Sequence, residues 1–259
     1  MSPQVHIRIR FYEELNDLLP VRLRKRDIEC HVAAGATVRH VIESFGVPHT
    51  EVDLVLVNGE AAGFENRVCN ADRVSVYPVF ETLPLAGVTR LREQPLRETR
   101  FLCDAHLGKL ARRLRLLGFD TELAEHGQDR EIVERALSEL RIVLTCARGL
   151  LMRKAVTRGI LIRHGPIDGQ VRRVIERLHL QGECRPFTRC TACNGLMRTL
   201  TAEDAALERY GMQIPDRVRQ CCAEFFACEQ CGKVYWEGSH FPRLQALVSR
   251  YVSGGDCPR

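Results

Sequence analysis

The chain has 259 residues, 45% of them hydrophobic and 27% charged, with 19 glycines, 11 prolines and a formal net charge of +5. That is enough for two globular units and a small third without a disulfide framework, and no stretch approaches the roughly eighteen uninterrupted apolar residues of a membrane-spanning helix. The opening MSPQVHIRIRFYEEL carries no apolar signal segment, so a reducing cytoplasm is expected, where paired cysteines among the twelve point to metal more often than to disulfides.

The net charge conceals an uneven distribution. Lys plus Arg against Asp plus Glu runs 9 to 12 over residues 1–85, 19 to 12 over 86–180 and 10 to 9 over 181–259. The basic excess of the middle segment would attract a polyanion by releasing counterions from its phosphates. A solvated arginine-rich helix face produces the same count.

The chain opens with alternation in VHIRIRFY, which puts Val5, Ile7, Ile9 and Phe11 on one face of a half-buried strand. A second strand is expected over Ile28 to Val32. The helix after it has Thr37 as N-cap, an apolar stripe of Val38, Val41, Ile42 and Phe45, and Gly46 as its stop. In DLVLVNGEAA, Asn58-Gly59 predicts a tight hairpin turn, and a last strand runs through Val74 to Tyr77. This order resembles the ubiquitin-like β-grasp fold and its small sulfur carriers. Those carriers end in Gly-Gly, whereas this segment reads YPVFETLPLAG and continues, so the resemblance implies a docking module for a protein partner and not a carrier.

In the middle segment, RFLCDAHLGKLARRLRLLGFDTELA begins with a short apolar strand that delivers Asp104 at its carboxy end, since aspartate is disfavoured within strands. Leu107, Leu110, Leu114 and Leu117 then recur at helical spacing, Gly118 closes the helix, and Lys109, Arg112, Arg113 and Arg115 fill its other faces. Asp129 and Glu131 follow in GQDREIVERALSEL, where Asp129 is also placed to cap a helix. A strand over Ile142 to Thr145, a helix from Leu150 to about Arg158, a strand over Ile160 to Arg163 and a helix in DGQVRRVIERLHL complete the segment. Such alternation predicts an α/β parallel sheet with ligand chemistry at the carboxy ends of its strands. Carboxylates gathered there could hold Mg2+ or Mn2+ for phosphodiester hydrolysis, with Asp104, Asp129 and Glu131 as the catalytic candidates.

The last segment carries RCTACNGL and FACEQCGKVYWEGSH. Cys190, Cys193, Cys228 and Cys231 form two C-x-x-C knuckles separated by 34 residues, which predicts a tetrahedral Zn2+ with no open position and thus a structural role. A redox C-x-x-C is the alternative, although that motif normally stands alone and opens a helix. Tyr235 and Trp236 suit either base stacking or packing against the knuckle. His240 suits a surface position, a substrate contact or a general acid.

FLCDAHLGKLARRLRLLGFDT, LTCARGLL, RCTACNGL and CGKVYWEGSH together resemble the Mut-seven C-terminal ribonuclease family, a PIN-like fold carrying a zinc ribbon and often preceded by a ubiquitin-like domain. The resemblance implies a β-grasp domain over 1–85, a linker over 86–99, a PIN-like domain over 100–183, a zinc ribbon over 184–245 and a tail over 246–259. It also implies metal-dependent cleavage of RNA, with Lys109, Arg112, Arg148 and His240 as nucleic-acid contacts. In that family the turn after the strand ending at Thr145 usually reads T-R-D-R. Here Ala147 stands where the aspartate is expected, and Cys146, without an evident histidine partner, does not make a thiol nucleophile. Two readings stay open: a weakened or Mn2+-dependent ribonuclease, and a catalytically silent RNA-binding or adaptor module. Oligomeric state is not legible.

Overall fold

The computed structural model describes residues 3–78, 99–124, 128–201, 210, 212–222 and 224–252, with the Cys221 side chain outside that description. The LPLAG stretch, all of the expected linker except Thr99, and the end of the expected tail lie outside the described residues. By compactness the chain forms two units, residues 1–98 with 127–162, and residues 99–126 with 163–259.

The front segment forms strands β1 (Gln4–Phe11), β2 (Ile28–Ala33), helix α1 (Val38–Ser44), β3 (Leu54–Val57), β4 (Glu60–Ala61) and β5 (Arg73–Tyr77). Its five-stranded sheet has the order β2-β1-β5-β3-β4, with β1 parallel to β5 and the other pairings antiparallel. Period-two alternation in β1 buries Ile7, Ile9 and Phe11, and α1 covers that face with Val38, Val41 and Ile42. Thr37 caps α1 as the sequence predicts, its Oγ1 accepting from the His40 N–H at 3.2 Å. Asn58 and Gly59 both take positive φ, 55° and 91°, the conformation a two-residue hairpin demands.

Downstream the elements are β6 (Arg100–Asp104), α2 (Gly108–Leu116), β7 (Asp120–Ala124), α3 (Asp129–Ser138), β8 (Ile142–Thr145), α4 (Arg148–Leu151), β9 (Gly159–Leu161) and α5 (Ile167–Arg177). Pairs β6–β7 and β8–β9 are both parallel. Two expectations change here. The helix expected from Leu150 to about Arg158 is only the four residues of α4, because the apolar stripe ends at Leu151 and Lys154, Ala155 and Thr157 have no buried face to cover. The polar DTELA, not read as a strand, becomes β7, with Thr121 fully buried.

In the first unit the β-grasp segment is joined to the residues around α4 and β9 by buried polar contacts. Glu51, fully buried, accepts the Leu161 N–H at 2.7 Å. His49 places Nδ1 at 2.7 Å from Glu43 and Nε2 at 2.9 Å from the Val156 carbonyl. A buried carboxylate is costly unless donors surround it, so these contacts mark a built interface.

In the second unit α2 packs Leu110 and Leu114 beneath β6 and β7 and lies against α5, which contributes Val171, Val174 and Ile175. The ribbon follows with β10 (Met197–Thr199), α6 (Asp216–Cys221), β11 (Phe225–Cys228) and β12 (Val234–Trp236), then α7 (Phe241–Val252). Its antiparallel sheet has the order β10-β11-β12 over a core of Leu200, Tyr210, Ile214, Phe225, Ala227 and Val234. The end of α2 is clamped by the turn segment 185–187, whose Arg185 and Phe187 N–H groups donate to the carbonyls of Leu117 and Leu116. Gly118, at φ +93°, sits where a Cβ would lie 2.0 Å from the Arg185 carbonyl oxygen. Gly118→Ala is therefore expected to cost about 3 kcal/mol or more, combining backbone strain with a collision against main chain. A urea titration showing less than ~1 kcal/mol would mean that segment 185–187 yields freely.

Candidate metal centre and carboxylate site

Two short turns of the same design build the metal centre. In the first, the Cys190 N–H donates to the Gly195 carbonyl at 2.8 Å and the Asn194 N–H to the Cys190 carbonyl at 2.9 Å. In the second, the Cys228 N–H donates to Lys233 at 2.9 Å and the Gly232 N–H to Cys228 at 3.0 Å. The residue after each second cysteine, Asn194 or Gly232, has positive φ, 75° and 71°, which turns the chain back so that both sulfurs face one point. The four predicted sulfurs lie within 4.8 Å of one another, with Cys190 at 3.8 Å from Cys231 and Cys193 at 3.3 Å from Cys228. A tetrahedron with Zn–S bonds of about 2.3 Å has S···S edges near 3.8 Å, so the donor set fits a Zn2+-sized ion with little movement.

Burial opposes ionising Cys190, but Tyr235, whose hydroxyl lies 3.1 Å from the sulfur, and the N–H groups of Cys193 and Ala192 outweigh it and bring the thiol down to about 7. Burial pushes the other three thiols up. A central cation is what lets all four sulfurs ionise together. None of the four clustered cysteines is in a disulfide.

The first knuckle is keyed to the α/β elements of its own unit. Asn194, 4% exposed, accepts the Thr121 N–H at 2.9 Å and donates to Asp120 and Glu122 at 2.8 and 3.0 Å. Arg115, 5% exposed, donates to the carbonyls of Thr121, Thr191 and Ala192 at 2.8, 3.3 and 2.7 Å. Sequence reasoning placed Arg115 on an outer helix face. At the edge of the leucine stripe its position suits either face, and the distant carbonyls of Thr191 and Ala192 turn it inward.

Asp104 and the pair Asp129 and Glu131 belong to different units, and each is held by its own neighbours. Asp104 ends β6, is 8% exposed, and accepts the His106 N–H at 3.0 Å as the cap of the turn that follows. Asp129 is the first residue of α3; Gln128 occupies the cap position that the sequence offered to Asp129, and the Asp129 carboxylate pairs with Arg153 at 3.0 Å. Glu131 reaches back to the Gln128 N–H at 3.3 Å, closing a capping box. Ala147 caps α4 with no side-chain oxygen, and its N–H donates to Thr145 Oγ1 at 2.9 Å.

Of the expected nucleic-acid contacts, Lys109 and Arg112 stand exposed on α2 and His240 is exposed just before α7. Arg148 is used differently: its Nη1 donates to the carbonyls of Leu18 and Gly46 at 3.1 and 3.3 Å, bracing the front segment within the first unit.

The model of the Mut7-C RNAse domain family matches residues 99–248, more than half of the chain, and that of the Mut7-C ubiquitin family matches residues 4–84. The chain belongs to the Mut7-C RNAse family. Two crystal structures of small archaeal modifier protein 1 from Haloferax volcanii are similar to it at 19% and 18% identity, covering 29% and 30% of this chain and 97% and 98% of theirs, with TM-scores of 0.24 and 0.25. No curated protein matches the chain. The Mut7-C assignment makes the second segment a ribonuclease-type α/β domain of PIN-like class with a four-cysteine ribbon, behind a ubiquitin-like β-grasp domain. Among the described residues, no helix is long and apolar enough to cross a membrane.

Proposed function

We propose that the protein is a divalent-metal-dependent endoribonuclease-type hydrolase of phosphodiesters, weakened because Ala147 replaces a carboxylate. The observation that carries this reading is a buried aspartate, Asp104, at the carboxy end of a parallel strand inside the Mut7-C match. Asp104 is the principal ligand for Mg2+ or Mn2+, with Asp129 and Glu131 supporting it as ligands or base. The cation supplies charge stabilisation at the phosphate and acidifies the attacking water. Lys109 and Arg112 hold the RNA backbone and His240 contacts the substrate. Zn2+ on the four cysteines serves folding alone, the compartment is the cytoplasm, and the β-grasp domain offers a surface to a protein partner.

A second reading has its own support. Asp129 is paired with Arg153, Glu131 is occupied in a helix cap, and position 147 offers no oxygen, which together describe an RNA-binding or adaptor module that has lost cleavage.

The deciding experiment incubates labelled structured and unstructured RNA with the purified protein, with Mg2+, with Mn2+ or with neither. A strong chelator is avoided because it also strips the thiolate centre. In the nuclease reading Asp104→Ala loses more than the roughly 10–100-fold typical of an outer ligand partner, and Ala147→Asp raises the rate and its Mg2+ dependence. Binding without cleavage by the native chain, with cleavage restored by Ala147→Asp, establishes the adaptor reading. Neither binding nor cleavage overturns both.

A further inference from the structure

Within the second unit lies a cavity of about 500 Å3 whose lining includes none of the four clustered cysteines and none of the candidate carboxylates. Its size falls inside the roughly 300–1,000 Å3 of small-ligand sites. The walls are aromatic, contributed by Phe187 from the segment after α5, Phe226 from β11, Tyr235 from β12 on the same sheet face as Phe226, and Phe241 from α7. All four rings are partly exposed. They are also held in place: the Tyr235 hydroxyl is anchored 3.1 Å from the Cys190 sulfur, and Phe187 and Phe241 meet with centroids 5.0 Å apart at 46°. Rings that are fixed and still accessible present π-faces at little entropic cost.

One side of this aromatic cavity is a row of cations. Lys109, Arg112 and Arg113 line it from α2, and among the described residues none of them is ion-paired. Glu237 is the single carboxylate in the lining. A ligand must therefore combine a flat, stackable body with negative charge on one side, and a chain of such units would also meet the basic excess of the middle segment.

We propose that this cavity takes one unstacked base of a single-stranded RNA, stacked among Phe226, Tyr235, Phe187 and Phe241, with the flanking phosphates on Lys109, Arg112 and Arg113. The assignment deepens the RNA-directed reading above and rests on it. A paired base has no free face to offer, so the site selects single-stranded or splayed segments over duplex.

The chain has one tryptophan, and Trp236 borders the cavity beside Tyr235, so its emission reports on occupancy there. A short fluorescently labelled oligoribonucleotide is titrated into the full chain, with total binding followed by anisotropy and occupancy of the cavity by Trp236 quenching. Inorganic polyphosphate, which has the charge without the base, serves as a second ligand. Quenching is expected to saturate together with anisotropy for the single strand, while polyphosphate competes for binding without quenching. Phe187→Ala is expected to weaken single-strand affinity about tenfold, and Arg112→Ala to flatten the salt dependence by about one phosphate contact. Circular dichroism of each variant checks that it folds, and Phe187→Tyr, which keeps a stacking ring, should retain affinity. Anisotropy that rises while Trp236 emission stays unchanged overturns the cavity assignment and leaves RNA binding intact. No anisotropy change overturns the RNA-directed reading as well.

Discussion

Cys228→Ser is expected to release the metal from the ribbon and unfold that part of the chain, with Trp236 emission moving to the red and near-ultraviolet circular dichroism collapsing. Among the described residues the ribbon core is six buried side chains over a three-stranded sheet of short strands, a small apolar burial for ordering such a segment. Structural Zn2+ sites supply apparent binding energies of about 10–16 kcal/mol, so folding and metal retention become one event. Cys228 is 1% exposed and central, its carbonyl and N–H both committed to the second knuckle, so a serine oxygen there removes a ligand without relieving any backbone constraint. The same collapse is expected on prolonged chelation and should be reversed by added Zn2+. Because proteins bind such ions through thiolates, protons compete, and chelation should strip the site more easily as pH falls. Unchanged Trp236 emission in a metal-free preparation, verified by metal analysis, would show that the ribbon holds itself together.

Arg115→Met should carry the second-largest effect, a loss of about 3–5 kcal/mol, because it deletes a buried cation whose donors serve three carbonyls and fills the space with a chain of similar length. Two of those carbonyls, Thr191 and Ala192, lie inside the first knuckle, and the third, Thr121, lies in β7. The variant should therefore lower both the midpoint of chemical unfolding and the affinity for Zn2+. Arg115→Lys keeps the charge but not the fork of donors, and should recover only part of the loss. Were Arg115→Met to lose stability with metal affinity unchanged, the guanidinium would be a packing element of α2 alone.

These effects follow from how unevenly the chain announces itself. Alternation in VHIRIRFY, the Thr37 cap and the Asn58-Gly59 turn specified local conformations by local physics, and the β-grasp strands and helix sit where those signals put them. The leucine stripe of α2 and the strand over Ile142 to Thr145 were legible for the same reason, and the C-x-x-C spacing named all four thiols, because a knuckle is built from residues adjacent in sequence. Where local signals were weak the reading slipped: polar DTELA is a strand because it pairs with β6 while Asn194 and Arg115 satisfy the N–H and carbonyl of Thr121, and the helix after Leu150 stops early for want of a face to bury.

By itself, then, the sequence determined the family, the β-grasp segment ahead of the ribonuclease-type one, and the thiolate set. Tertiary structure alone decided that Arg115 points inward, that Arg148 braces Leu18 and Gly46, and that aromatic rings from the segment after α5, the ribbon strands and α7 line one cavity. Spacing and periodicity encode what neighbours along the chain do to one another. Partners for a long polar side chain, or walls for a cavity, come from residues many tens of positions apart, and only the folded packing brings them into reach.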